Sequence, residues 1–273
     1  MENNSDRMGF ALIALSVVAF VLLAVNGPLK ASANGLFNGF KSWQESTFSQ
    51  INISPSNKIN PNDAKWVEKG NYGTNGYFVR DNAGNGIVYA LDPQQPIIAP
   101  EKAIFTKTNV NLTSLRFLDK TILPKNSYQY FAYNLNLTTF DTKNLDTSNV
   151  TDMSWMFVGM YALTTLDVSN FNTSNVTNMS EMFADMTALT SLDVSKFDTS
   201  KVTDMSGMFN GSSELTALDV SKFNTSNVTD VAYMFGDRYK DGHKLTPPDT
   251  SKFDTSKMIN VDQMFDDAAV VQA

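Results

Sequence analysis

Asp167, Asp193 and Asp219 recur every 26 residues, and each has hydroxyl neighbours: Thr164 and Thr165, Thr190 and Ser191, and Thr216. Carboxylates and hydroxyls repeated at one spacing offer an acidic, polar surface to a basic partner or a cation. The competing reading is a solvated face screened by salt, with Lys196 and Lys222 nearby. Like charges set side by side at strand spacing destabilise each other. A dedicated calcium site needs more converging oxygens than a straight row supplies. A second hydroxyl series comprises Thr147-Ser148, Thr173-Ser174, Thr199-Ser200 and Thr225-Ser226. A serine nucleophile needs a base, and the sole histidine, His243, lies outside these units. These hydroxyls are therefore expected to satisfy backbone groups at a turn and to bond across to the next coil. Cysteine is absent, which excludes disulfides, thiol nucleophiles and cysteine–zinc sites. No acid/base pair, phosphate loop or metal cluster stands out. No catalytic residue, metal or cofactor is assigned, and the chain is not expected to be an enzyme.

The elements that must position the acidic row follow from the same period. Phe157, Phe183, Phe209 and Phe235 are evenly spaced, and Phe265 follows after 30 residues because Arg238 to Gly242 lies in an insertion. Leu145, Phe171, Phe197, Phe223 and Phe253 form a second series; Val150, Val176, Val202, Val228 and Met258 a third; Met156, Met182, Met208, Met234 and Met264 a fourth. A period in this range with the L-x-x-L-x-V pattern predicts a leucine-rich-repeat solenoid, because a single unit is too small to bury its apolar side alone. The strand is expected at Ser191 to Ser195, with Leu192 and Val194 inward and Asp193 outward. Met205, Met208 and Phe209 have the spacing of a short helical turn, although Val202 to Asp204 is open to reading as a second strand. A stacked phenylalanine spine is expected at 171, 197, 223 and 253.

The expected organisation has four parts. Residues 1–33 form a signal or membrane-anchor segment. Gly9 to Val25 is an apolar run of seventeen residues, about 26 Å long as a helix at 1.5 Å per residue. Three readings are open: an uncleaved signal anchor, a secretory signal cut after Ala33, and a pilin-like segment starting near Arg7-Met8-Gly9-Phe10. Residues 34–63 are an amphipathic helix, carrying Leu36, Phe37, Phe40, Trp43, Phe48 and Ile51 on one face, and a polar linker. Residues 64–103 are a small β-rich region, with a hairpin formed by Tyr77–Val79 and Ile87–Leu91 around an Asn/Gly cluster. Residues 104–273 are the repeats. The fold class is thus α/β: a solenoid of about five 26-residue coils after an N-terminal apolar helix and a small hairpin region.

The unit Asp146 to Phe157, DTSNVTDMSWMF, and its copies resemble the BspA-like leucine-rich-repeat surface proteins. The likeness is to their short-repeat branch in mycoplasmas, lactic acid bacteria and other Firmicutes. Leu123 to Phe131 resembles that branch's first, degenerate unit. The resemblance implies a leucine-rich-repeat fold, an extracellular location and adhesion to host, matrix or cell-surface components. Without cysteine there is no lipoprotein anchor, so membrane attachment is expected through residues 9–25. No cap is evident after Phe265, which leaves an apolar end that frays or packs on a partner. A net charge of −7 without a basic cluster argues against nucleic acid. The expected function is a surface-displayed module that binds a protein or glycan through Thr164, Thr165, Asp167, Thr190, Ser191, Asp193, Thr216 and Asp219. The alternative is a pilin-like subunit of a surface filament with the repeats as its head.

Overall fold

The computed structural model describes residues 59–105, 111–237 and 244–265. Every described residue belongs to one compact unit, Ser54–Ala273. The expected apolar segment at 9–25, the cleavage point after Ala33, the amphipathic stretch at 36–51, the insertion at 238–242 and His243 lie outside the described residues. Among the described residues, no helix is long and apolar enough to cross a membrane.

Strands β1 (Trp66–Tyr72), β2 (Gly76–Asp81) and β3 (Asn85–Ala90) pair antiparallel in sequence order. The β2–β3 pair is the expected hairpin, with Tyr77 opposite Tyr89 and Val79 opposite Ile87. Its turn closes because the Asp81 carboxylate accepts the Asn85 N–H at 2.9 Å and the Asn85 amide at 2.9 Å. Gly84 occupies the left-handed region there, at φ +87°, where a Cβ would lie 2.5 Å from the Asn111 carbonyl oxygen.

Further short strands are β4 (Ile97–Ile98), β5 (Ser114–Phe117), β6 (Thr121–Ile122), β7 (Thr139–Asp141) and β8 (Leu145–Asp146). β5 lies parallel beside β3, and β7 parallel beside β5, giving a mixed sheet in the order β1-β2-β3-β5-β7. β4, β6 and β8 form a second, parallel sheet.

From Asn126 onward, successive units also join through isolated parallel bridges that run Asn126–Asp152–Asn178–Asp204–Asp230–Asn260. In one unit, the N–H groups of Met179, Glu181, Phe183 and Asp185 donate to the carbonyls of Asp204, Ser206, Met208 and Asn210 at 2.8–3.0 Å. The same alternate-residue pattern recurs in neighbouring units, so each repeat contributes one hydrogen-bonded rung. A second line runs the other way: Thr177, Thr203 and Thr229 each donate an N–H to the equivalent threonine carbonyl one unit earlier, at 2.8–2.9 Å. Inside the rungs, Val176, Met179, Met182, Phe183, Leu189, Val202, Met205, Met208 and Phe209 are buried in one continuous core.

Two expectations are overturned. First, the α/β leucine-rich-repeat solenoid is not what the described residues form. They are β-rich, with one mixed and one parallel sheet, and contain no helix. The segment read as a helical turn cannot be one, because its third position is left-handed: Trp155 at φ 60°, Glu181 at 50°, Gly207 at 60° and Tyr233 at 58°. That conformation costs an L-residue energy and interrupts α-helical bonding; the rung bonds and turns such as Met208 N–H to Met205 C=O, 3.2 Å, take its place. The strand expected at Ser191–Ser195 shrinks to a single bridge, Thr165 to Ser191. The chain turns away at Asp193, whose carboxylate accepts the Ser195 N–H at 2.9 Å. Side-chain direction nonetheless follows the expected alternation, with Leu192 and Val194 buried and Asp193 exposed.

Second, the stacked phenylalanine spine belongs to the other series. Phe131, Phe157, Phe183, Phe209, Phe235 and Phe265 stack in order, with centroids 5.3–5.9 Å apart and interplanar angles of at most 19°. Phe171 and Phe197 pack tilted against that stack, 6.0 and 6.2 Å from Phe157 and Phe183. The stacked rings sit within rungs whose backbone bonds fix unit-to-unit spacing. Phe171 and Phe197 instead close turns, through their N–H groups to Val168 and Val194, at 3.0 Å.

Candidate binding face

Each acidic residue of the row sits where the chain leaves the buried leucine–valine edge and turns. Asp167, Asp193 and Asp219 accept the N–H groups of Ser169, Ser195 and Ser221, each at 2.9 Å. These are turns of the kind Asp makes readily with its own chain two residues on. The serine beside each, through its hydroxyl and its backbone N–H, holds all three carboxyls below the usual carboxylate range. The Asp219 charge pushes Asp193 upward, a smaller effect than its serine bonds. Lys196 and Lys222 oppose that repulsion. The three carboxylates are therefore ionised at neutral pH.

Thr164, Thr165, Thr190, Ser191 and Thr216 are all exposed beside them. Thr190 donates its N–H to the Thr164 carbonyl at 3.2 Å, so the threonines of two units are tied in register. All eight expected residues thus lie on the same stretch of successive units and face solvent. Asp249 extends the row: it accepts the Ser251 N–H at 2.9 Å and its carboxyl is lowered for the same reason. The sequence signal was the Asp-Thr-Ser that follows Pro247-Pro248, 30 residues after Asp219 rather than 26, which the insertion obscures.

The other hydroxyl series has a different place. Thr147, Thr173, Thr199 and Thr225 are buried. Thr199 Oγ1 accepts the Asn224 N–H at 2.7 Å and donates to the Asn224 carbonyl at 3.0 Å, and Thr173 does the same with Asp198. These bonds join one unit to the next, though to the residue preceding the equivalent threonine rather than to that threonine. The serines that follow use their N–H groups on Asp146, Asn172, Asp198 and Asn224. This series is structural. Among the described residues, no group of three or more His, Cys, Asp or Glu is arranged to hold a metal ion.

A family described as Mycoplasma protein of unknown function, DUF285, matches residues 125–246 and 187–273, together more than half of the 273-residue chain. The chain belongs to this family. The DUF285 match contains the acidic row, the threonine line and the rungs from Ser127 onward, whereas β1 to β6 precede it. Neither a curated protein nor a solved structure matches the chain.

Proposed function

We propose that this DUF285 member is a non-catalytic binding module displayed at the cell surface. In this reading it engages a protein or glycan partner of basic character through Thr164, Thr165, Asp167, Thr190, Ser191, Asp193, Thr216 and Asp219, continued by Asp249. The observation that carries the reading is the row of solvent-facing, ionised carboxylates fixed by serine caps, with exposed hydroxyls in register beside it. Pre-ordered charges of one sign favour encounter with a partner of the other sign. The likeness of the units to BspA-like surface repeats supports an extracellular adhesive role. Residues 9–25 supply the membrane attachment.

Two measurements test this. Protease added to intact cells should digest the protein, and the membrane-bound form should keep its Met1 or Glu2 terminus. A terminus at Phe10 would favour the filament subunit instead, and protection from protease would sink the surface reading. Beads coated with the chain should adhere to host epithelial cells in a salt-sensitive way. The combined Asp167→Asn, Asp193→Asn and Asp219→Asn variant should lose most of that adhesion while staying folded, with at most a small fall in melting temperature. Equal adhesion by the variant would remove the acidic row from the binding face.

A further inference from the structure

The two ends of the repeat array are built differently. At the first, Phe131 is covered by Phe117 at 6.0 Å and by Phe140 at 4.8 Å, and β1 to β3 add a sheet with Phe78, Val88 and Phe105 in the same core. At the last, nothing among the described residues covers the rung of Asn260 to Phe265. Val261 is 52% exposed, although its counterparts Met153, Met179, Met205 and Val231 are all at 0%. Ile259, where earlier units carry threonine, is 87% exposed. Phe265 stacks on Phe235 at 5.3 Å through one face only and is half-buried.

The polar groups of this rung are equally specific. In the unit before it, Val231, Tyr233 and Phe235 donate their N–H groups forward to Asn260, Asp262 and Met264 at 2.8–3.0 Å. The Thr229 carbonyl receives the Ile259 N–H, and Thr225 Oγ1 exchanges two bonds with Asp254. The corresponding groups one unit on are the N–H groups of Val261, Gln263 and Phe265, the Ile259 carbonyl and Thr255 Oγ1. They have no partner among the described residues. A rung in this conformation presents donors, not alternating donors and acceptors, at alternate residues of its open edge. A second copy approaching end to end would set donors against donors.

We infer that the Asn260–Phe265 edge is a docking surface for an extended segment of another polypeptide that carries the repeat's own pattern, Val-Thr-Asp-Met-Ser-x-Met-Phe, added in parallel as a further rung. Such a segment supplies carbonyls to the three N–H groups that lack partners among the described residues, an N–H to the Ile259 carbonyl, apolar side chains over Val261 and Met264, and a ring on the face of Phe265 away from Phe235. The surface continues an interface that recurs between the preceding units. It is strand addition with specificity from alternate side chains.

The test uses the full chain and a fluorescent peptide that copies residues 198–212, with binding read by anisotropy. Saturable binding is expected for the native peptide and not for a scrambled one. Val261→Lys, a change at an exposed position, should weaken it tenfold or more, and Val67→Lys, the same change at an exposed position of β1, should leave it unchanged. The peptide with Phe209→Ala should also bind at least tenfold more weakly. Absence of saturable binding to the wild-type chain, or equal binding of the scrambled peptide, would overturn the proposal. So would sedimentation that shows a dimer lost in Val261→Lys without peptide binding, because the edge would then belong to a second copy.

Discussion

Along the Phe131–Phe265 series each ring stacks on the ring of the next unit, whereas along Asp167, Asp193, Asp219 and Asp249 each carboxylate turns to a serine of its own unit. The two series share one period and differ in what satisfies them. Apolar rings gain only from neighbours, so repetition joins them across units. Charges repel their copies, so each is satisfied locally and faces water. A repeated residue type therefore does not by itself report a contact between repeats; the chemistry of the residue decides whether the ladder binds the fold together or leaves a face free.

The comparison is broken most readily at the rings. Phe209→Ala removes a ring stacked on both sides and should cost about 3–5 kcal/mol in a denaturant titration. Phe197→Ala, which has one tilted neighbour, should fall in the lower part of that range. A larger loss at Phe197 would return the spine to the second series. Thr199→Val strands the Asn224 N–H and carbonyl and should cost about 1–3 kcal/mol, while Thr199→Ser keeps most of the stability.

On the acidic side the effects are smaller and depend on pH. Asp167, Asp193, Asp198, Asp219, Asp249 and Asp254 all have folded-state pKa values lowered by serine hydrogen bonds. A lowered folded value means the stabilisation is present above the ordinary carboxylate range, roughly pH 4. It is lost as the pH falls through the folded values. Melting temperature should therefore be flat from pH 7 to about pH 5 and fall below pH 4; a rise on acidification would show that repulsion along the row outweighs the caps. Asp193→Asn should lower stability at neutral pH only slightly, since the amide oxygen still accepts the Ser195 N–H and only the charge-dependent part of the stabilisation is lost. A loss comparable with Thr199→Val would make the row structural.

Much of this organisation was legible because burial has a period. Leu192 and Val194 inward, Asp193 outward, the β2–β3 hairpin and the turn-forming threonines all follow from alternation and turn chemistry. The acidic face was legible for the same reason, as a row of charges that could not be inside. The rung conformation was not, because its left-handed position carries Gln129, Trp155, Glu181, Gly207 and Tyr233, and a lone glycine among them gives no signal. Met-x-x-Met-Phe fits a helical turn equally well, so spacing favoured the wrong conformation. β1 was hidden because only Trp66 and Tyr72, at its two ends, are buried.

The rungs have one more consequence. Within each, the peptide groups whose carbonyls point to the preceding unit are those whose N–H groups point to the following one, so their dipoles align. The threonine line opposes them, as do the N–H groups of Thr190 and Thr246, donated back to the carbonyls of Thr164 and Thr216. Aligned peptides along a helix create a partial positive pole at the end where N–H groups are unsatisfied. Here, among the described residues, that pole falls at Val261, Gln263 and Phe265, a local partial positive charge at the end of the acidic face. Whatever the length of the acidic face, its far end would then carry the opposite sign of potential from the carboxylates along its side.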